Sequence, residues 1–244
     1  TFCYTVRQPI GVVAAITPWN FPVAIPCWKI APALAAGCTV VFKPATLTPG
    51  TAKLVTEIFA EAGVAPGALD LIYGSGGDVG RAIVDHTAIR ALSFTGSVAV
   101  GHSVRDQATA RGARVQLELG GHNPVIVMAD AELDRAVEAA YAGAFWSAGQ
   151  KCTATRRILV QESVYDDFRA RFLARVERGK VGDPSDPETE VGPVVNESQL
   201  EEILAAIETG RSQGGTVLAG GGRVHDEAYL IAPTVLEDVG DSCL

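Results

Sequence analysis

Between Gln8 and Gly120 the apolar residues fall into short unbroken runs separated by segments of helical spacing. Ile10-Gly-Val-Val-Ala-Ala-Ile16 reads as a buried strand, Pro22 to Ala36 as an apolar helix stopped by Gly37, and Thr39-Val-Val-Phe42 as the next strand. Thr48-Pro49 supplies an N-cap and a first-turn proline for a helix running through Leu54, Val55, Ile58 and Phe59 to Gly63. Leu69–Tyr73, Ile89–Phe94 and Val115–Leu119 continue as strands, with helices over Val79–Val84 and Ser97–Thr109 between them. Continuous apolar strands separated by helices predict an α/β fold whose parallel sheet is covered on both faces. In such sheets ligands bind at the carboxyl ends of the strands.

The remainder is patterned differently. Leu133, Val137, Ala140, Tyr141, Ala144 and Phe145 mark a helix over Ala131–Ala148 with Gly149 as its stop, and Ile158-Leu-Val160 reads as a buried strand. Helices are expected over Val164–Val176 and Glu197–Ile207, a Pro/Gly/acid-rich loop over Gly182–Pro193, and strands at Thr216–Ala219 and Tyr229–Leu236. At the start, Phe2, Tyr4 and Val6 alternate like one half of a hairpin, and Asp241-Ser-Cys-Leu244 follows without a closing element. Both ends therefore read as cut, as in a fragment.

With 244 residues, of which 48% are hydrophobic, the chain has material for one large core or two smaller ones. A net charge of −8 without basic runs argues against nucleic acid or an anionic membrane as a partner. The cysteines at 3, 27, 38, 152 and 243 are odd in number and scattered, with no metal-ligand spacing, which predicts a reducing, cytoplasmic setting and no bound metal. The longest apolar run, Ile30–Phe42, is broken by Pro32 and is too short to span a bilayer. His86, His102, His122 and His225 lack Ser or Cys partners at interpretable spacing and read as surface residues.

Polar chemistry collects at the strand ends: Thr17-Pro-Trp-Asn-Phe-Pro22, Lys43-Pro-Ala-Thr46, Gly74-Ser-Gly-Gly-Asp-Val-Gly80, Thr95-Gly-Ser97 and Leu117-Glu-Leu-Gly-Gly121. Gly96 and Ser97 precede a helix whose N–H groups suit a pyrophosphate. The glycines at 74, 76 and 80 depart from the usual dinucleotide fingerprint and serve a tight turn equally well. Lys43 is a ribose or phosphate ligand or a solvated loop lysine, and Asn20 a turn former or a fixed amide donor. Glu118, inside an otherwise apolar strand, is expected to be a costly buried carboxylate. Cys152 lies in a polar break, Ser147-Ala-Gly-Gln-Lys-Cys152, where backbone N–H groups and Lys151 favour a nucleophilic thiolate.

Pro18-Trp-Asn-Phe-Pro22, Lys43-Pro-Ala45, Phe94-Thr-Gly-Ser97, Glu118-Leu-Gly-Gly121 and Gly149-Gln-Lys-Cys152 resemble, in order and spacing, the aldehyde dehydrogenase superfamily from about Arg7 onward. The resemblance implies NAD(P)-dependent oxidation of a small-molecule aldehyde, with Cys152 as nucleophile, Glu118 as general base and Asn20 as oxyanion donor. It places Trp19, Lys43, Thr46, Gly76, Gly80, Gly96, Ser97, Val100 and Leu119 against the dinucleotide. It also implies part of a Rossmann-like cofactor domain over residues 9–120, part of an α/β catalytic domain over 121–244, and part of an oligomerisation arm over 1–8, hence a homodimer or homotetramer for the full-length protein. Thr46 stands where NAD-preferring relatives usually carry a glutamate, so NADP is expected to be accepted at least as well as NAD. A later Glu-Glu-Ile-Phe-Gly-Pro segment of the family is missing from these residues. Gln150-Lys-Cys-Thr-Ala-Thr155 is similar to 2-oxoglutarate semialdehyde dehydrogenases, and Lys151, Arg156 and Arg157 would suit an acidic semialdehyde. Two other readings stay open: a non-catalytic dinucleotide-binding or subunit-interaction module, and a cofactor-independent thiol esterase using Cys152 and Glu118.

Overall fold

The chain divides into two units at Gly120/Gly121 in a computed structural model that describes residues 1–225 and 228–240. The first unit is built on β1 (Val12–Ile16), β2 (Thr39–Lys43), β3 (Leu69–Leu71), β4 (Ile89–Gly96) and β5 (Arg114–Leu119). They form one parallel sheet in the order β3-β2-β1-β4-β5. Alternation along β1 sends its side chains to two cores. Ala14 and Ile16 join Leu92 and Phe94 beneath α3 (Arg81–Asp85) and α4 (Val98–Ala110), whereas Ala15 joins Val40 and Phe42 beneath α1 (Ala24–Ala35) and α2 (Pro49–Glu61). The sheet is thus covered on both faces. Phe42, 0% exposed, contributes about 2–3 kcal/mol through burial alone.

Register places the candidate residues along one edge. Ile16 lies opposite both Lys43 and Phe94, Thr95 opposite Glu118 and Gly96 opposite Leu119, so the loops after β1, β2 and β4 leave the sheet at the same end. The Thr17 N–H donates to the Lys43 carbonyl at 3.2 Å and extends the pairing past the end of β1.

In the second unit β6 (Asn123–Val127) pairs in parallel with β7 (Thr155–Val160), and α5 (Leu133–Phe145) and α6 (Tyr165–Arg178) share their core. Tyr141, 0% exposed, anchors that core, with the Arg175 guanidinium 3.6 Å above its ring. Arg175 also pairs with Glu138 at 2.8 Å and Glu190 at 2.7 Å, which holds the Glu190 carboxyl below its ordinary range. Desolvation raises the Tyr141 phenol, reinforced by Glu190. Helix α7 (Glu197–Ser212) and the antiparallel pair β8 (Thr216–Ala219) and β9 (Val235–Glu237) complete the unit. Tyr165 donates to Glu237, which Arg169 also binds at 2.8 Å.

Several local expectations are corrected. Residues 1–10 form no strand, and Phe2 is 88% exposed, because a strand without a partner leaves its backbone groups unpaired. Thr48 makes no side-chain cap although Pro49 does open α2. The helix expected to reach Ala148 ends at Phe145, and Ile158–Val160 is not uniformly buried, since Leu159 is half exposed. The strand expected over Tyr229–Leu236 shrinks to Val235–Glu237. Strand β6, interrupted in sequence by Pro124, was not anticipated. Residues Asp241–Leu244 lie outside the described residues. No helix among the described residues is long and apolar enough to cross a membrane, and no cluster of metal-ligating side chains occurs among them.

Candidate active site

The edge of the first unit begins with the loop that carries Trp19 and Asn20, both half-buried, after β1. At the end of β2, Lys43 is 5% exposed; its ammonium donates to the Pro44 carbonyl at 3.2 Å, and no carboxylate pairs with it among the described residues. Desolvation lowers its pKa. Thr46 follows, exposed. Gly76–Gly80 forms a wide helical turn opened by Ser75, whose hydroxyl accepts from the Asp78 N–H at 3.0 Å. Gly80 is buried against the Lys43 stem, where a Cβ would come 3.7 Å from the lysine Cε. A Cβ at Gly96 would meet the Phe94 ring at 2.5 Å. Ser97 caps α4, accepting from the Val100 N–H at 3.4 Å, and Val100 is exposed on the first turn.

A buried cation without an acidic partner, packed on a glycine turn at the same sheet end as a capped helix N-terminus, fits a phosphate-bearing ligand such as a dinucleotide. Leu119 does not line that edge in the same way. It packs beneath Gly101, where a Cβ would meet its Cδ2 at 2.4 Å, and so supports α4 from below.

Glu118 departs from expectation. It is exposed, because Val115, Leu117 and Leu119 take the core side of β5 while Gln116 and Glu118 take the other. The Gln116 amide donates to the Glu118 carboxylate at 2.8 Å, and Gln116 Oε1 in turn accepts from Ser93. Lys29 completes the row. It is 8% exposed and donates to Ser93 Oγ at 2.9 Å and to Gln116 Oε1 at 3.5 Å. Desolvation pulls the Lys29 ammonium down to about 8, partly offset by attraction to Glu118. Lys29, Ser93 and Gln116 were not singled out from sequence; a lone lysine inside the apolar run of α1 was the available signal.

In the second unit Cys152 is exposed on the loop between α5 and β7. That loop starts with left-handed residues, Ser147 at φ 59°, Ala148 at φ 53° and Gly149 at φ 68°. For each of the two non-glycine residues the conformation costs about 1–2 kcal/mol. The Lys151 ammonium donates back to the Ala142 carbonyl at 3.2 Å. Asn123, at the start of β6, donates from its side-chain amide to the carbonyls of Cys152 at 2.7 Å and Ala154 at 3.0 Å. Gln150 Oε1 accepts from the Val195 N–H at 2.8 Å, and its Nε2 donates to the Ser147 carbonyl at 3.2 Å and the Pro193 carbonyl at 3.5 Å. Arg156 is exposed and Arg157 half-buried on β7.

Residues 1–243 match the aldehyde dehydrogenase family. This chain belongs to that family. It is 46% identical over 241 residues to retinaldehyde dehydrogenase 3 of Mus musculus, covering 98% of this chain and 47% of the relative. It is 44% identical to alpha-ketoglutaric semialdehyde dehydrogenase of Bacillus subtilis (strain 168), covering 97% of this chain and 49% of that protein. Among solved structures, betaine aldehyde dehydrogenase of Staphylococcus aureus in complex with NAD+ superposes with a TM-score of 0.92 at 38% identity, over 96% of this chain and 47% of the other. An Escherichia coli structure described as an NADP dependent enzyme gives 0.92 at 41% identity, over 97% and 49%. The chain thus spans about half the length of these aldehyde dehydrogenase relatives. The parallel α/β sheet expected from sequence is the architecture of the first unit.

Proposed function

We propose that the protein oxidises an aldehyde to a carboxylic acid through a thioester on Cys152, with NADP or NAD as hydride acceptor. The observation that carries this reading is the exposed Cys152 thiol, held on a strained and hydrogen-bonded turn in a chain of this family. The Cys152 sulfur adds to the aldehyde carbon, and the carbonyl oxygen becomes an oxyanion that accepts hydrogen bonds from the Asn20 amide and the Cys152 N–H. A bound nicotinamide would supply the acceptor for the hydride that leaves that carbon. Glu118 accepts a proton from water, which adds to the thioester; the carbon–sulfur bond breaks and the acid leaves. A carboxylate at position 118 favours hydrolysis over transfer to coenzyme A.

Lys43, Gly80, Gly96 and Ser97 would hold the phosphates and ribose, with Trp19, Thr46, Gly76 and Val100 around them and Leu119 supporting α4. An uncharged Thr46 does not repel a 2′-phosphate, so NADP is used at least as well as NAD. The substrate class is an acidic semialdehyde such as 2-oxoglutarate semialdehyde, which the similarity to the Bacillus subtilis enzyme supports. The test is a panel of aldehydes, including 2-oxoglutarate and succinate semialdehydes, with reduced NADP and NAD followed separately by absorbance. Reduction that vanishes in Cys152→Ala supports the reading. Reduction that persists in Cys152→Ala, or none with any aldehyde, defeats it.

A further inference from the structure

We propose that Asn123 and Gln150 are positioning residues that aim the Cys152 turn, Asn123 by bridging the carbonyls on either side of Thr153 and Gln150 by tying the turn to the Pro193–Val195 segment. This rests on Cys152 being the nucleophile. Asn123 spends both amide hydrogens on one loop, on Cys152 O at 2.7 Å and Ala154 O at 3.0 Å, so the first and third peptide planes after the nucleophile are tied to one planar group. Asn123 itself sits at the start of β6, opposite Thr155 in the parallel ladder, so the clamp is anchored in regular structure. Entry to the turn is fixed separately. The Gln150 side chain accepts from the Val195 N–H at 2.8 Å and donates to the Ser147 carbonyl at 3.2 Å, closing the ring of the left-handed Ser147-Ala148-Gly149 stretch.

Such a stretch costs free energy at two non-glycine residues and persists only where neighbouring bonds over-determine it. Gly149 tolerates no Cβ, which would lie 2.8 Å from the Ala144 carbonyl oxygen. The thiol is therefore exposed but held between two amide clamps. An attacking sulfur misplaced by about an ångström loses on the order of a hundredfold in rate. Simple alkylation, which makes no demand on direction, is insensitive to such an error.

Asn123→Asp tests this, because aspartate keeps the shape and loses both donors while facing two carbonyl oxygens. The readouts are the pre-steady-state burst of reduced NADP and the rate at which iodoacetamide alkylates Cys152. The expected result is a burst slowed roughly 10- to 100-fold with an alkylation rate within about threefold of wild type. A burst at the wild-type rate overturns the inference, and so does a parallel fall of both rates, which would mean an altered thiol. If circular dichroism shows Asn123→Asp to be unfolded, Gln150→Glu decides by the same two rates, since glutamate keeps the acceptor toward Val195 and loses the donors toward Ser147 and Pro193. A wild-type protein with no Cys152-dependent oxidation would instead remove the proposed function on which the inference rests.

Discussion

Replacing Lys29 with methionine should change how stability depends on pH, and the buried position of the ammonium fixes the sign. In an unfolded chain this lysine holds its proton up to its ordinary 10.5, but in the folded protein desolvation brings it to about 8. At neutral pH it remains about nine-tenths protonated, so its charge is carried into a site that disfavours it. Below pH 8 that costs about 3 kcal/mol of folding free energy, at about 1.4 kcal/mol per tenfold change in proton affinity. Between pH 8 and 10.5 the unfolded state binds more protons than the folded one, so stability rises with pH and the cost disappears. Methionine keeps the apolar stem but has no proton to lose. It forfeits the bond to Ser93, worth about 1 kcal/mol. Urea denaturation at pH 7, 8, 9 and 10 should therefore show Lys29→Met more stable than wild type by about 2 kcal/mol at pH 7, with the advantage shrinking to about zero near pH 10. Parallel stability curves across that range would refute the reasoning.

Removing the Asn20 amide in Asn20→Ala should lower kcat by roughly 10²–10³ with little effect on dinucleotide affinity, measured by steady-state kinetics and cofactor titration. Introducing a carboxylate in Thr46→Glu should shift the ratio of kcat/KM toward NAD by about tenfold or more, read from parallel assays with the two cofactors. Gly220→Ala should destabilise the protein by about 2–4 kcal/mol in urea denaturation, because the new Cβ would combine a left-handed φ with backbone that cannot yield. Gly220 has φ 68° and the Cβ would lie 2.3 Å from the Pro233 carbonyl oxygen.

Much of the first unit was legible because continuous apolar strands and helical periods alternate without ambiguity, and each of the five strands predicted between Gln8 and Gly120 appears within a few residues of its expected place. The depth of Glu118 was misjudged although the sequence held the information: Val115, Leu117 and Leu119 alternate with Gln116 and Glu118, the pattern of a strand with one open face. Strand β6 was hidden because Asn123-Pro124 reads as punctuation. The Lys29–Ser93–Gln116–Glu118 row joins residues from α1, β4 and β5, and neither period nor motif reports which side chains a sheet brings side by side. The Asn123 clamp is hidden for the same reason, its partners lying 29 and 31 residues away. The left-handed residues at Ser147 and Ala148 are illegible for another reason: neither residue type favours that conformation, and only the surrounding bonds impose it.

The most direct test of the account is the fate of the thioester in Glu118→Gln. Mixed with excess aldehyde and NADP, the variant should release about one equivalent of reduced cofactor per Cys152 and then stall, because the amide cannot take the proton from water. Intact-mass and peptide spectrometry of the stalled protein should find the acyl group on Cys152 and on no other residue. Continued turnover at the wild-type rate, or a burst without an adduct on Cys152, would contradict the assignment of both residues.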